Sequence, residues 1–100
     1  MITCCIQYTL DPHQLPAFED YVTRWPPIIA RCGGALVGYY LPKEGANNFA
    51  IALIDFPSLA AYEVYRERLA ADDEARANFS TATTNRCILV ESRSFLRKVT

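Results

Sequence analysis

One hundred residues with ten basic and eleven acidic side chains give a formal charge of −1. No basic stripe marks the chain, which excludes the electrostatic footprint of a nucleic-acid binder. Nor does any run reach the roughly 20 apolar residues of a membrane helix. Yet 51% of the residues are hydrophobic, a high share for one small domain, which buries only about 60–65% of its unfolded surface; the surplus predicts a homodimer.

Met1-Ile2-Thr3 leads straight into Ile2–Thr9, ITCCIQYT, whose β-branched, aromatic and thiol side chains predict a strand. No signal-peptide pattern precedes it, so a cytoplasmic protein is expected. The strand is apolar on both faces, and such strands are usually covered on both. Asp11-Pro12 signals a helix start, with regular helix from about Leu15 because Pro16 lacks a donor. Leu15, Phe18, Val22, Trp25, Ile29 and Cys32 are spaced 3, 4, 3, 4, 3, one helical stripe. Trp25-Pro26-Pro27 predicts an interruption and kink within it. Gly33-Gly34 supplies the closing cap.

Ala35–Leu41 reads as a second strand and Asn48–Phe56 as a third. The short polar turn between them predicts an antiparallel hairpin. Ser58 then caps a helix with Leu59, Tyr62, Tyr65 or Arg66, and Leu69 on its buried stripe. Asp72 can cap a further helical stretch, with Glu74 in its first turn. Cys87–Lys98 is the last strand. Cys4, Cys5, Cys32 and Cys87 have neither CxxC spacing nor a histidine pair; they read as buried, reduced thiols rather than a metal site.

The order predicts an α+β fold: a ferredoxin-like βαββαβ protomer, residues 1–100 as a single domain, with a four-stranded antiparallel sheet and helices on one face. Because the strands look apolar on both faces, two such sheets are expected to pack face to face in a twofold dimer, a dimeric α+β barrel.

Asn48 before its strand, Ser58-Leu59-Ala60, Arg66-x-Arg68-Leu69 and Ala71-Asp72-Asp73 together resemble the NIPSNAP family of the dimeric α+β barrel superfamily. Tyr8-Thr9-Leu10-Asp11-Pro12 resembles that family's strand-to-helix junction, and Gly34-Ala35-Leu36-Val37-Gly38-Tyr39 its second strand. The resemblance spans nearly the whole chain. It also implies departures: a Glu and an Arg frequent on strand one stand here as Cys4 and Ile6, a His on strand three as Ala52, a Trp as Ile54, and the junction Gly as His13. If those positions face the barrel interior, this chain has lost polar groups that acid–base chemistry would use.

Tyr8, Tyr39 and Tyr40 can place phenolic hydroxyls in an interior, although tyrosines also suit strands structurally. Trp25 can line a pocket at the helix. His13 would suit a general base but has no evident partner. Asn47 and Asn48 sit in a turn that already accounts for them. An Asp55–Arg66 ion pair is possible across the strand end and helix. Tyr8, Trp25, Tyr39, Asn48 and Ala52 are thus the candidate ligand-binding residues. No catalytic residue, metal site or cofactor is assigned, since none of the nucleophile, phosphate, zinc or dinucleotide patterns is present. The expected function is a binding or interaction module for a small apolar or aromatic ligand. The alternative is a cofactor-independent monooxygenase or isomerase, as in antibiotic-biosynthesis relatives of the superfamily, an inference by fold analogy.

Overall fold

The computed structural model of the protein describes all residues, Met1–Thr100. Strands β1 (Ile2–Leu10), β2 (Ala35–Tyr40), β3 (Phe49–Phe56) and β4 (Ile88–Leu96) form one sheet in the order β2-β3-β1-β4. Every neighbouring pair is antiparallel. Helices α1 (Leu15–Cys32), α2 (Leu59–Ala71) and α3 (Asp73–Asn85) complete the chain, with a single 3-10 turn at Pro12–Gln14. This is the ferredoxin-like α+β arrangement that the element order predicts, with Asp72 opening the third helix.

Alternation along the strands assigns the two faces, because successive side chains point to opposite sides. On β1, Cys4, Ile6, Tyr8 and Leu10 are buried beneath the helices, while Gln7 and Thr9 are exposed on the far side. On β3, Ala50, Ala52, Ile54 and Phe56 are buried while Ile51, Leu53 and Asp55 are only half-covered. The first strand's doubled apolar pattern therefore divides between a helix-covered face and an uncovered one. The uncovered face carries Cys5, Phe49, Ile51, Leu53, Val90 and Leu96 by register.

Proline does not break α1 as the sequence predicts. The helix runs without interruption through Pro26 and Pro27. Both rings are exposed, so the carbonyls of Val22 and Thr23, left without an amide donor, can turn to water. Trp25, Ile28, Ile29 and Cys32 are buried on the opposite side, and packing across that face outweighs the lost hydrogen bonds. Tyr21 and Ile28 join the buried stripe, while Leu15 and Val22 are only half-buried. Gly33 ends the helix at φ 109°, in the left-handed region. The Gly34 amide donates to the Ile29 carbonyl at 2.9 Å and the Gly33 amide to Ala30 at 3.3 Å, the paired pattern of a Schellman cap. Gly34 has a packing reason as well: a Cβ there would come within 2.8 Å of Ile29 and 3.0 Å of Ile54.

On α2, Tyr65 and Leu69 are buried as their spacing predicts, but Leu59 is exposed. Arg66 does not pair with Asp55. The Asp55 carboxylate instead accepts the Thr3 hydroxyl at 2.5 Å on the uncovered face, and Arg66 forms no ion pair at all. All four cysteines are free and buried. No helix is long and apolar enough to cross a membrane.

The helices are tied together by one charged clamp. Asp72 accepts the Ala75 amide at 3.0 Å as the N-cap of α3. It also takes both arms of Arg31, from the last turn of α1, at 2.8 Å each, a bidentate geometry that favours the charged carboxylate. The Arg31 guanidinium, and after it the Ala75 amide, pull the Asp72 carboxyl down from 3.8 to about 2. A carboxylate depressed on folding stabilises above its unfolded value and loses that contribution as pH falls through its folded value. The melting temperature should therefore drop between about pH 4 and pH 2, measured by circular dichroism. Asp72→Asn should flatten that segment of the profile; an unchanged acid limb would sink the assignment.

Candidate functional site

Between the covered face of the sheet and the helices, one well gathers side chains from every major element. Ile6 and Tyr8 come from β1, Tyr39 from β2 and Ile54 from β3, forming its floor. Tyr21 and Trp25 from α1, Tyr65, Arg66 and Leu69 from α2 and Phe79 from α3 form its walls. Arg93 of β4 closes one side. Local sequence places them: Tyr21 and Trp25 stand one helical turn apart on α1, and Tyr8 and Arg93 lie on the same face by the β1–β4 register.

The aromatic rings form a continuous series. Tyr39 and Tyr8 have centroids 6.4 Å apart, Tyr8 and Phe18 5.1 Å, and Phe18 and Tyr21 5.9 Å. Trp25 meets Tyr21 edge-on at 5.6 Å and Phe79 at 4.8 Å. These separations lie in the favourable range for aromatic pairs. Trp25 is almost fully buried, and its Nε1, although beside Tyr21, makes no hydrogen bond, an uncommon and costly state for a buried donor.

Burial pushes the Tyr8, Tyr21, Tyr39 and Tyr65 hydroxyls far up, with neighbouring phenols adding to the effect at Tyr8 and Tyr39. They stay neutral at every physiological pH and serve as hydrogen-bonding groups, not as bases. Burial alone would pull Arg93 down, but Glu91 and Tyr62 outweigh it and raise the guanidinium. Arg93 donates to Glu91 at 3.1 Å and to the Tyr62 hydroxyl at 3.2 Å. No histidine or carboxylate lines the well.

The well holds only about 20 Å³ of free space, room for a single water. It adjoins an open groove of about 280 Å³ between α3, α2 and β4. Tyr21, Arg66, Phe79 and Arg93 belong to both, so these four side chains are the partition between the groove and the well. Glu91 lies on the groove side.

Of the residues singled out from sequence, Tyr8, Trp25 and Tyr39 meet in the well. Ala52 does not line it. Fully buried, it pairs with Ile6 on one side and Tyr39 on the other and forms the sheet between them. Asn48 lies outside: it is exposed before β3, and its carbonyl accepts the Leu10 amide at 2.7 Å. Tyr40 is exposed, turned away from the well. His13 is exposed in the 3-10 turn, its amide held by Asp11. Sequence reasoning missed Tyr21, Phe79, Arg93 and the siting of Arg66. For Tyr21 the signal was available, three residues after Phe18 and four before Trp25. Arg93 had none, since a charge in a half-exposed strand reads as solvated.

Comparison with known proteins decides the family. The NIPSNAP family model matches residues 4–100. The chain belongs to the NIPSNAP family. Among solved structures, a NIPSNAP family protein of unknown function from Agrobacterium tumefaciens is 24% identical, with a TM-score of 0.86 over 99% of this chain and 88% of that one. A NIPSNAP domain protein from Burkholderia xenovorans is 21% identical, with a TM-score of 0.81 over 99% and 95%. A candidate antibiotic biosynthesis monooxygenase from Bordetella bronchiseptica superimposes at a TM-score of 0.77 with 17% identity, over 99% and 97%. At these identities the structural likeness shows a shared fold. No curated protein matches this NIPSNAP chain in sequence.

Proposed function

We propose that this NIPSNAP protein is a binding module for a small aromatic or apolar molecule, held between groove and well. The observation that carries this reading is the aromatic lining with an unpaired donor: nine of the eleven residues around the well are hydrophobic, and Trp25 Nε1 waits among them without a partner. Small-molecule sites combine such walls with a few convergent polar groups. The well as it stands takes no more than a water, so a ligand body occupies the groove and enters by displacing Phe79, which is half-buried.

A cofactor-independent monooxygenase or isomerase is the second reading, supported by the fold shared with the Bordetella protein. The lining opposes its acid–base versions, since the phenols stay protonated and no base faces the well. The uncovered sheet face supports a homodimer. By register it sets Cys5, Phe49, Ile51, Leu53, Val90 and Leu96 among the uncharged Thr3, Gln7, Thr9, Ser92 and Ser94. Its single charge, Asp55, is already engaged by Thr3, so a second copy meets it across a twofold axis without opposing rows of like charge. Four buried free thiols suit the reducing cytoplasm.

Trp25 is the sole tryptophan and reports on its own site. Titration with small aromatic compounds should change its emission saturably. Tyr39→Phe should weaken the response several-fold while leaving the melting temperature nearly unchanged, because only a hydroxyl is removed. Equal loss of stability and binding would make Tyr39 a structural residue, and no saturable response from any aromatic compound would overturn the reading.

A further inference from the structure

The groove beside the well contains three charged side chains, Arg66, Arg93 and Glu91. Glu91 and Arg93 are paired at 3.1 Å, and Tyr62 takes a further arm of the guanidinium. That pair is spent. Arg66 is left with its full charge and no carboxylate partner, although it borders both the groove and an aromatic wall. The site therefore carries one uncompensated positive charge, on a chain whose formal charge is −1.

We infer that the occupant is an aromatic monocarboxylate, its ring against Trp25 and Phe79 and its carboxylate on the Arg66 guanidinium. This rests on the ligand-binding reading above and specifies its chemistry. The planar fork of arginine matches a carboxylate with two parallel hydrogen bonds. With Glu91 and Arg93 neutralising each other, the single free guanidinium balances one negative charge, which favours a monocarboxylate over a phosphate dianion. The buried, unpaired Trp25 Nε1 offers a donor to a polar substituent on the ring.

The test compares phenylpropionate with its neutral isostere phenylpropionamide, read by Trp25 emission at low salt, in the native protein and in Arg66→Gln. Arg66 is exposed, so its replacement leaves the fold intact, which a melting curve verifies. The acid should bind about tenfold tighter than the amide, the scale of one charge-assisted hydrogen bond. That ratio should collapse toward unity in Arg66→Gln and shrink with added salt, while the amide's affinity holds. Equal binding of acid and amide in the native protein would overturn the carboxylate inference and leave the aromatic-ligand reading standing. A preference that survives Arg66→Gln would overturn the role given to Arg66. Absence of any response to either probe would overturn the inference, while the reading beneath it falls only with silence across the wider series of aromatic compounds.

Discussion

Phe18→Ala should destabilise the protein by about 3–5 kcal/mol, the range for truncating a fully buried phenylalanine. Phe18 is wholly inaccessible and packs edge-on against Tyr8 at 5.1 Å and beside Tyr21 at 5.9 Å. It links the strand part of the aromatic series to the helix part, so its loss leaves a cavity that neither ring can fill alone. Small domains hold about 5–15 kcal/mol in total, so the variant should be close to unfolding at ordinary temperature. Phe18→Leu conserves most of the volume and should cost less than about 1.5 kcal/mol. Urea denaturation of the three proteins checks this; an alanine variant within about 1 kcal/mol of native, below the usual range, would mean the core is anchored elsewhere. Because Tyr8 and Tyr21 both line the well, ligand response should fail in the alanine variant with its stability, and persist in the leucine variant.

Leu53→Lys should convert a dimer to a monomer. Leu53 lies at the middle of β3, a central strand, on the face that no helix covers; its neighbours by register are Cys5 and Gly38. If two sheets pack across this face, a lysine there would be buried against its own copy, and an unpaired buried charge costs several kcal/mol. If the face meets only water, the same substitution is nearly neutral. Native mass spectrometry separates the cases: the native chain should appear at twice 11.3 kDa, and Leu53→Lys at 11.3 kDa. A native monomer would remove the proposed barrel. Val64→Lys, on the exposed side of α2, is the control and should leave the mass of the native protein unchanged.

How much was readable in advance differs by element. Helix α3 was legible because Asp72 is a strong cap with acidic residues behind it, and Gly33-Gly34 because a left-handed terminus needs glycine. Pro26-Pro27 was misleading, since local rules register the two missing donors but not the packing of Trp25, Ile28 and Ile29 against the core. The Asp55–Arg66 pair failed for a related reason. Spacing along the chain says when charges can meet, whereas the faces on which they emerge depend on register, and register put Asp55 on the uncovered side.

The residues of the well divide along the same line. Tyr8, Trp25 and Tyr39 stood out as aromatic side chains on elements that must face a core. Asn48 and Ala52 also stood out, one from its place before a strand and one through family resemblance, yet neither lines the well. Arg93 and Phe79 gave no warning, because they acquire meaning only when β4 is laid beside β1 and α3 is folded over α1. What this sequence determines by itself is the succession of strands and helices, their caps and their apolar stripes, since these depend on interactions within a few residues. Only the tertiary structure decides which rings share one well and which arginine borders it without a carboxylate partner, because those depend on strand pairing between segments that lie far apart along the chain.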